Sequence, residues 1–215
     1  MANNPSAAGK RSQQESLRTQ NRILDQAEYL FARLGIGGVS LREIAKATGV
    51  HHRTIQHHYG SKEELYQTVL RRWDRRVQEL MLAAIGEQDN LENALPVVVD
   101  QLFDFMLEKR DWVALTARAA ATADGRPDGS PGRMRLKQES WIQFMDESLR
   151  DHKFGGPDLD LGLLMITVEG MLNNHILAQR HYQDLYGKDL DDPELRARTK
   201  EHVKKVLSAL VFAGK

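Results

Sequence analysis

The segment from Val39 to Leu65, VSLREIAKATGVHHRTIQHHYGSKEEL, constrains the fold of this chain more than any other stretch. It reads as three short helices separated by a glycine turn at Gly49 and a second tight turn at Gly60. Ser40 is a good N-cap, and Glu43 three residues later completes a capping-box pattern. Leu41, Ile44 and Ala45 form the buried side of the helix that follows. Val50 and Ile55 anchor the next helix, and Ser61 caps a longer one with Glu63 and Glu64 near its positive end. The middle helix is thereby pushed out from a small apolar core, at a width that fits a DNA major groove.

Upstream, residues 1–15 are small and polar and are expected to be a disordered arm. Ile23, Leu24, Ala27, Leu30, Phe31 and Leu34 then follow the helical period until Gly35, Gly37 and Gly38 stop them. Downstream, Leu65, Val69, Trp73, Val77 and Leu80 give the capped helix its apolar stripe. A second region begins near Gly86. There Leu91, Leu95, Val98, Leu102 and Met106 form a stripe in which Pro96 is tolerable only in the first turn. Further helices are expected from Trp112 to Ala123, from Arg133 to Lys153, from about Leu159 to Tyr182, and after the Asp192-Pro193 cap. Asp124 to Gly132 is turn chemistry. No strand-like alternation occurs, so the expected class is all-α. The expected division is an arm (1–15), a helix-turn-helix domain (16–62), a connecting helix (63–85) and a larger C-terminal domain (86–215).

The formal net charge is zero, but it is unevenly spread. Residues 1–85 carry 13 Lys and Arg against 8 Asp and Glu, whereas residues 86–215 carry 17 against 22. A polyanion is therefore expected to meet only the first part. The absence of cysteine excludes disulfides and thiolate metal or redox sites. No apolar leader opens the chain, and its most apolar run falls far short of the ~20 residues that cross a bilayer. A cytoplasmic location away from membranes is expected.

The helix from about His51 to His58 carries the chemistry. Apart from its two apolar anchors, its positions are nearly all able to hydrogen-bond: His51, His52, Arg53, Thr54, Gln56, His57 and His58. Arg pairs with guanine, Gln with adenine, and the Thr methyl touches thymine. Arg42, Lys46 and Lys62 are candidate phosphate contacts. A metal site among the histidines is not expected, because neighbours on a helix point about 100° apart and no carboxylate lies within the helix. Mild acidification is expected to charge these imidazoles and tighten their hold on phosphate. Arg71, Arg72, Arg75 and Arg76 read as a solvated face.

Residues 22–70 resemble the N-terminal domain of the TetR (tetracycline repressor) family. The matching text is RILDQAEYLFARLG, SLREIAKATGV and RTIQHHYGSKEELYQTVL, without a gap. The resemblance implies a dimeric, all-helical transcription factor, usually a repressor, whose variable C-terminal domain binds a small molecule. It places His52, Arg53, Thr54 and Gln56 at base-reading or nearby phosphate-contacting positions. His58, Tyr59 and Lys62 fall where the family packs or grips the DNA backbone, and Arg42 at a second contact position. Two departures stand out. His51 replaces a small hydroxyl residue at the opening of the reading helix, which implies a weaker cap, and Gln56 replaces an aromatic.

In the C-terminal part, Phe103, Met106, Trp112, Trp141 and Met145 are candidate walls for an apolar effector. Glu169 and Asn173 are candidate polar anchors, or hydrogen-bonding groups at a subunit interface. The last two helices are the expected dimer contact, holding two reading helices about 34 Å apart on a two-fold operator. No cofactor is expected. The chain has no HExxH motif, phosphate-cradling glycine loop or compact Ser/His/acid signature, so an enzyme is not expected. The alternatives to an effector-released repressor are a constitutive DNA-binding protein without a ligand, or an activator.

Overall fold

The computed structural model describes residues 7–121 and 161–212, and every regular element among them is an α-helix. These are α1 (Ala7–Leu34), α2 (Leu41–Thr48), α3 (His52–Tyr59), α4 (Lys62–Gly86), α5 (Leu91–Glu108), α6 (Arg110–Ala121), α7 (Leu161–Leu177), α8 (Gln179–Tyr186) and α9 (Pro193–Phe212). The chain divides into two compact units, Met1–Trp73 and Asp74–Lys215, so the boundary falls inside α4.

In the first unit, Ile23, Ala27 and Phe31 of α1 are buried with Val39, Ile44 of α2, Ile55 of α3, and Leu65, Tyr66 and Val69 of α4. Phe31 meets Tyr66 edge to face, with centroids 5.2 Å apart. Arg72 does not lie on a solvated face as expected. Its guanidinium pairs with Asp25 at 2.5 Å and reaches Glu28 at 3.9 Å, tying α4 back to α1. The expected disordered arm is also corrected over residues 7–15, which open α1. That stretch, AAGKRSQQE, holds no proline and is rich in residues that lose little entropy in a helix, so α1 propagates beyond its packed part.

In the second unit, α5 packs against α6, α7 and α9, and α6 packs against α7. Its buried side chains include Val99, Leu102 and Leu107 of α5, Val113 and Leu115 of α6, Leu172 and Ile176 of α7, and Val203 and Leu207 of α9. Lys200 of α9 lies 2.7 Å from Asp104 and 3.4 Å from Asp100, and Lys204 lies 2.7 Å from Asp100. Arg110 pairs with Asp191, and that hydrogen bond holds the Asp191 carboxyl below its ordinary range.

Two helix expectations are corrected here. Asn90 caps α5 by accepting the Asn93 N–H at 2.9 Å, so Pro96 falls in the second turn rather than the first. A proline there removes a hydrogen bond and costs about 3 kcal/mol, offset by burial of Ala94, Leu95, Val98 and Val99 around it. The helix expected from about Leu159 to Tyr182 is interrupted at Ala178. The Gln179 side chain explains why the interruption holds: its Nε2 donates to the Ile176 carbonyl at 2.8 Å, while its Oε1 accepts the Leu190 N–H at 3.3 Å. The start of α9 is as expected, with Asp192 Oδ1 accepting the Leu195 N–H at 3.0 Å. The helix expected over Arg133–Lys153 and the turn before it lie outside the described residues.

Candidate nucleic-acid interface

The geometry of α3 is set by caps on both sides. Before it, Ser40 Oγ accepts the Glu43 N–H at 3.2 Å and the Ser40 N–H donates to Glu43 Oε2 at 2.7 Å, the expected capping box. Those bonds to Ser40 hold the Glu43 carboxyl below its ordinary range. α2 then ends at Gly49, whose φ of 68° and ψ of 18° turn the chain toward α3. After α3, Ser61 and Glu64 make a second reciprocal pair. Ser61 Oγ accepts the Glu64 N–H at 3.1 Å, and the Ser61 N–H donates to Glu64 Oε2 at 2.8 Å.

Gly60, between α3 and α4, has φ 71° and ψ −107°. A Cβ on it would sit 2.0 Å from Glu64 Oε2, the oxygen that caps α4. Gly60→Ala is therefore expected to cost about 1–3 kcal/mol for the backbone conformation and about 1 kcal/mol more for the displaced cap. Gly49→Ala meets open space and should cost only about 1–2 kcal/mol. Chemical denaturation of both variants checks the order; equal losses would remove the role given to Glu64.

His51 opens α3 and is its N-cap. Its Nδ1 accepts the Arg53 N–H at 3.2 Å and its carbonyl accepts the Thr54 N–H at 2.8 Å. The weaker cap expected from a missing hydroxyl is thus corrected, because the ring nitrogen supplies the acceptor.

Within α3, Ile55 is fully buried, while Val50 just ahead of the helix is only partly covered. At 100° per residue, Arg53 lies about 160° around the helix from Ile55 and points away from the core. Arg53, Gln56 and His57 are exposed, as is Arg42 on α2, and His52 and Thr54 are half-buried. The structure thus brings Arg42, His51, His52, Arg53, Thr54 and Gln56 together on one short polar element and the helix before it.

The C-terminal end of α3 is more embedded. The Tyr59 hydroxyl donates to the Gln20 backbone carbonyl at 2.9 Å, and burial pushes its pKa up to about 12, so it remains a donor. His58 Nδ1 lies 3.3 Å from Gln20 Nε2. Lys62 Nζ donates to the Ile36 carbonyl at 3.0 Å. Sequence reasoning missed Gln20 because a partner 39 residues from Tyr59 leaves no periodic signal.

Of the candidate effector residues, Phe103, Met106 and Trp112 are buried core side chains. Glu169 and Asn173 are half-buried, one turn apart on α7. His175, two residues on, is hydrogen-bonded through Nδ1 to the Tyr182 hydroxyl at 2.6 Å. Burial, then neighbouring His202, push its pKa down. Trp141 and Met145 lie outside the described residues. Among the described residues no group of three or more His, Asp or Glu could hold a metal, and no helix is long and apolar enough to cross a membrane.

A short helix held outward by one buried anchor, preceded by a capped helix and a glycine turn, defines a helix-turn-helix DNA-binding protein. Residues 23–69 match the family described as bacterial regulatory proteins, tetR family. Residues 23–69 thus form a tetR-family regulatory domain, and the relatives matched beyond it are named as transcriptional regulators and repressors. It is 36% identical over 73 residues to the HTH-type transcriptional regulator AcrR of Shigella flexneri, a match spanning 34% of each chain. A longer match, 25% identical, covers 67% of this chain and 71% of the HTH-type transcriptional repressor KstR2 of Mycolicibacterium smegmatis. The fold is similar to that of the transcriptional regulator FadR from Bacillus subtilis, with a TM-score of 0.60 at 18% identity, over 89% of this chain and 97% of that one.

Proposed function

We propose that the chain is a repressor that binds a palindromic operator as a homodimer and is released by a small lipophilic or aromatic effector. The observation that carries the DNA-reading part is the outward polar face of α3. Arg53, Thr54 and Gln56 are the proposed base readers, with His52 beside them. Arg42, His51, His58, Tyr59 and Lys62 set or contact the backbone register. The domain limits of 16–62, 63–85 and 86–215 belong to the same proposal. KstR2 and AcnR among the relatives are named as repressors, which supports repression over activation.

The dimer contact is proposed on α9 and on α7 with α8, into which the helix expected from about Leu159 to Tyr182 divides; Leu163, Ile166, Leu185, Tyr186 and Leu210 expose apolar surface there. An effector is proposed in the C-terminal unit, near Glu169 and Asn173 and the apolar side chains Phe103, Met106 and Trp112. The FadR relative was solved with stearoyl-CoA, which supports a lipophilic ligand class. Release then follows if the effector favours a dimer whose two reading helices no longer match successive grooves.

Selection of bound duplexes from a random pool tests this reading. The expected product is an inverted repeat with half-sites spaced by about one helical turn. Recovery of unrelated sequences, or of a single unrepeated site, would sink it. Compounds that raise thermal stability and also release the selected duplex distinguish an effector-controlled regulator from a constitutive binder.

A further inference from the structure

α3 is eight residues long, and Ile55 alone is buried among its side chains. An apolar anchor near the middle fixes how deeply the helix sits but leaves its roll weakly determined, because dispersion contacts are not directional. A roll of about 10° moves a side-chain tip about 1 Å sideways, beyond the roughly 0.5 Å that a bidentate contact tolerates. Something directional must set the roll, and it lies at the C-terminal end. The Tyr59 hydroxyl donates to the Gln20 carbonyl and the Gln20 amide meets His58 Nδ1, so adjacent residues of α3 are bonded to one residue of α1. α1 is in turn tied to α4 through Asp25, Glu28 and Arg72.

We infer that Gln20 is a positioning residue for DNA recognition: through its carbonyl and its amide it sets the roll of α3 without itself touching a base. The inference rests on the proposed reading of α3 as the base-contacting element. His58 faces Gln20 from α1, and the rings of His57 and Tyr59 lie 5.4 and 6.2 Å from it on its own helix. Tyr59 is within electrostatic reach of Arg72 on α4 and Asp25 on α1. The Gln20 Nε2 carries only donors, so in this contact His58 Nδ1 is the acceptor.

The test measures affinity of the full chain for its pool-selected duplex and for an unrelated duplex, in wild type, Gln20→Ala, His58→Ala and the Gln20→Ala/His58→Ala double variant. Gln20→Ala should lose about five-fold in specific affinity, the worth of one net hydrogen bond. Its binding to the unrelated duplex and its salt dependence should be unchanged, because no phosphate contact is removed. The double variant should be no weaker than His58→Ala alone. Additive losses in the double variant, an equal loss on the unrelated duplex in Gln20→Ala, or wild-type affinity in Gln20→Ala would each overturn the inference. A wild-type chain that selects no sequence would instead sink the reading of α3 itself.

Discussion

Ile55→Ala is expected to lower the stability of the N-terminal unit by about 2–5 kcal/mol, the range for truncating a fully buried aliphatic side chain. Net stabilities run to about 5–15 kcal/mol, so this is a large fraction of the whole. The cost concentrates at this position because no other side chain of α3 is buried. A helix this short has little stability of its own beyond its His51 cap; its hold on the unit is Ile55 and the Tyr59 and His58 bonds to Gln20. Removing three carbons from Ile55 leaves a cavity between α3 and a core of Ile23, Phe31, Ile44 and Leu65. Denaturation followed by helical signal checks the magnitude, with Ile55→Val expected to cost only about 0.5–1.5 kcal/mol. Duplex binding should fail at temperatures where wild type still binds, and saturating operator should restore part of the lost midpoint by mass action. Wild-type stability in Ile55→Ala would mean that α3 is not held through this anchor.

What was legible in the sequence was local. Ser40 and Glu43, Ser61 and the Asp192-Pro193 pair announced their caps because capping is a three-residue affair read along the chain. The period of Ile23, Ala27 and Phe31 announced the buried face of α1 in the same way. What was not legible depended on tertiary contact. Arg72 looked like one of four solvated arginines until α1 brought Asp25 beside it. Gln20 looked like polar lead-in to a helix until Tyr59 and His58 reached it. Ala178 has no sequence mark of a helix break; at the break the Gln179 side chain donates to the Ile176 carbonyl and, from its oxygen, ties in the distant Leu190 N–H. The early start of α1 is hidden for a different reason: low hydrophobicity reads as disorder, although these residues favour helix once a packed segment has nucleated it.

Arg53→Ala and Gln56→Ala should each reduce affinity for the selected operator by about 1–3 kcal/mol, roughly five- to 150-fold, and relax the base preference at one position of each half-site. Both side chains are exposed, so neither replacement should lower stability by more than about 0.5 kcal/mol. That separates them from Ile55→Ala, in which binding and stability fall together. Arg42→Ala supplies the opposite pattern. If Arg42 meets phosphate, its loss weakens all sequences alike and lowers the salt slope by about one, with base preference intact. Repeating the pool selection with each variant reads preference directly, and titration at several salt concentrations reads the slope. Arg53 should show both signatures in part, since its charge is lost along with its hydrogen bonds, whereas Gln56 should show only the change in preference. An unaltered selected sequence in both Arg53→Ala and Gln56→Ala would place base reading elsewhere on the surface, whatever the fold.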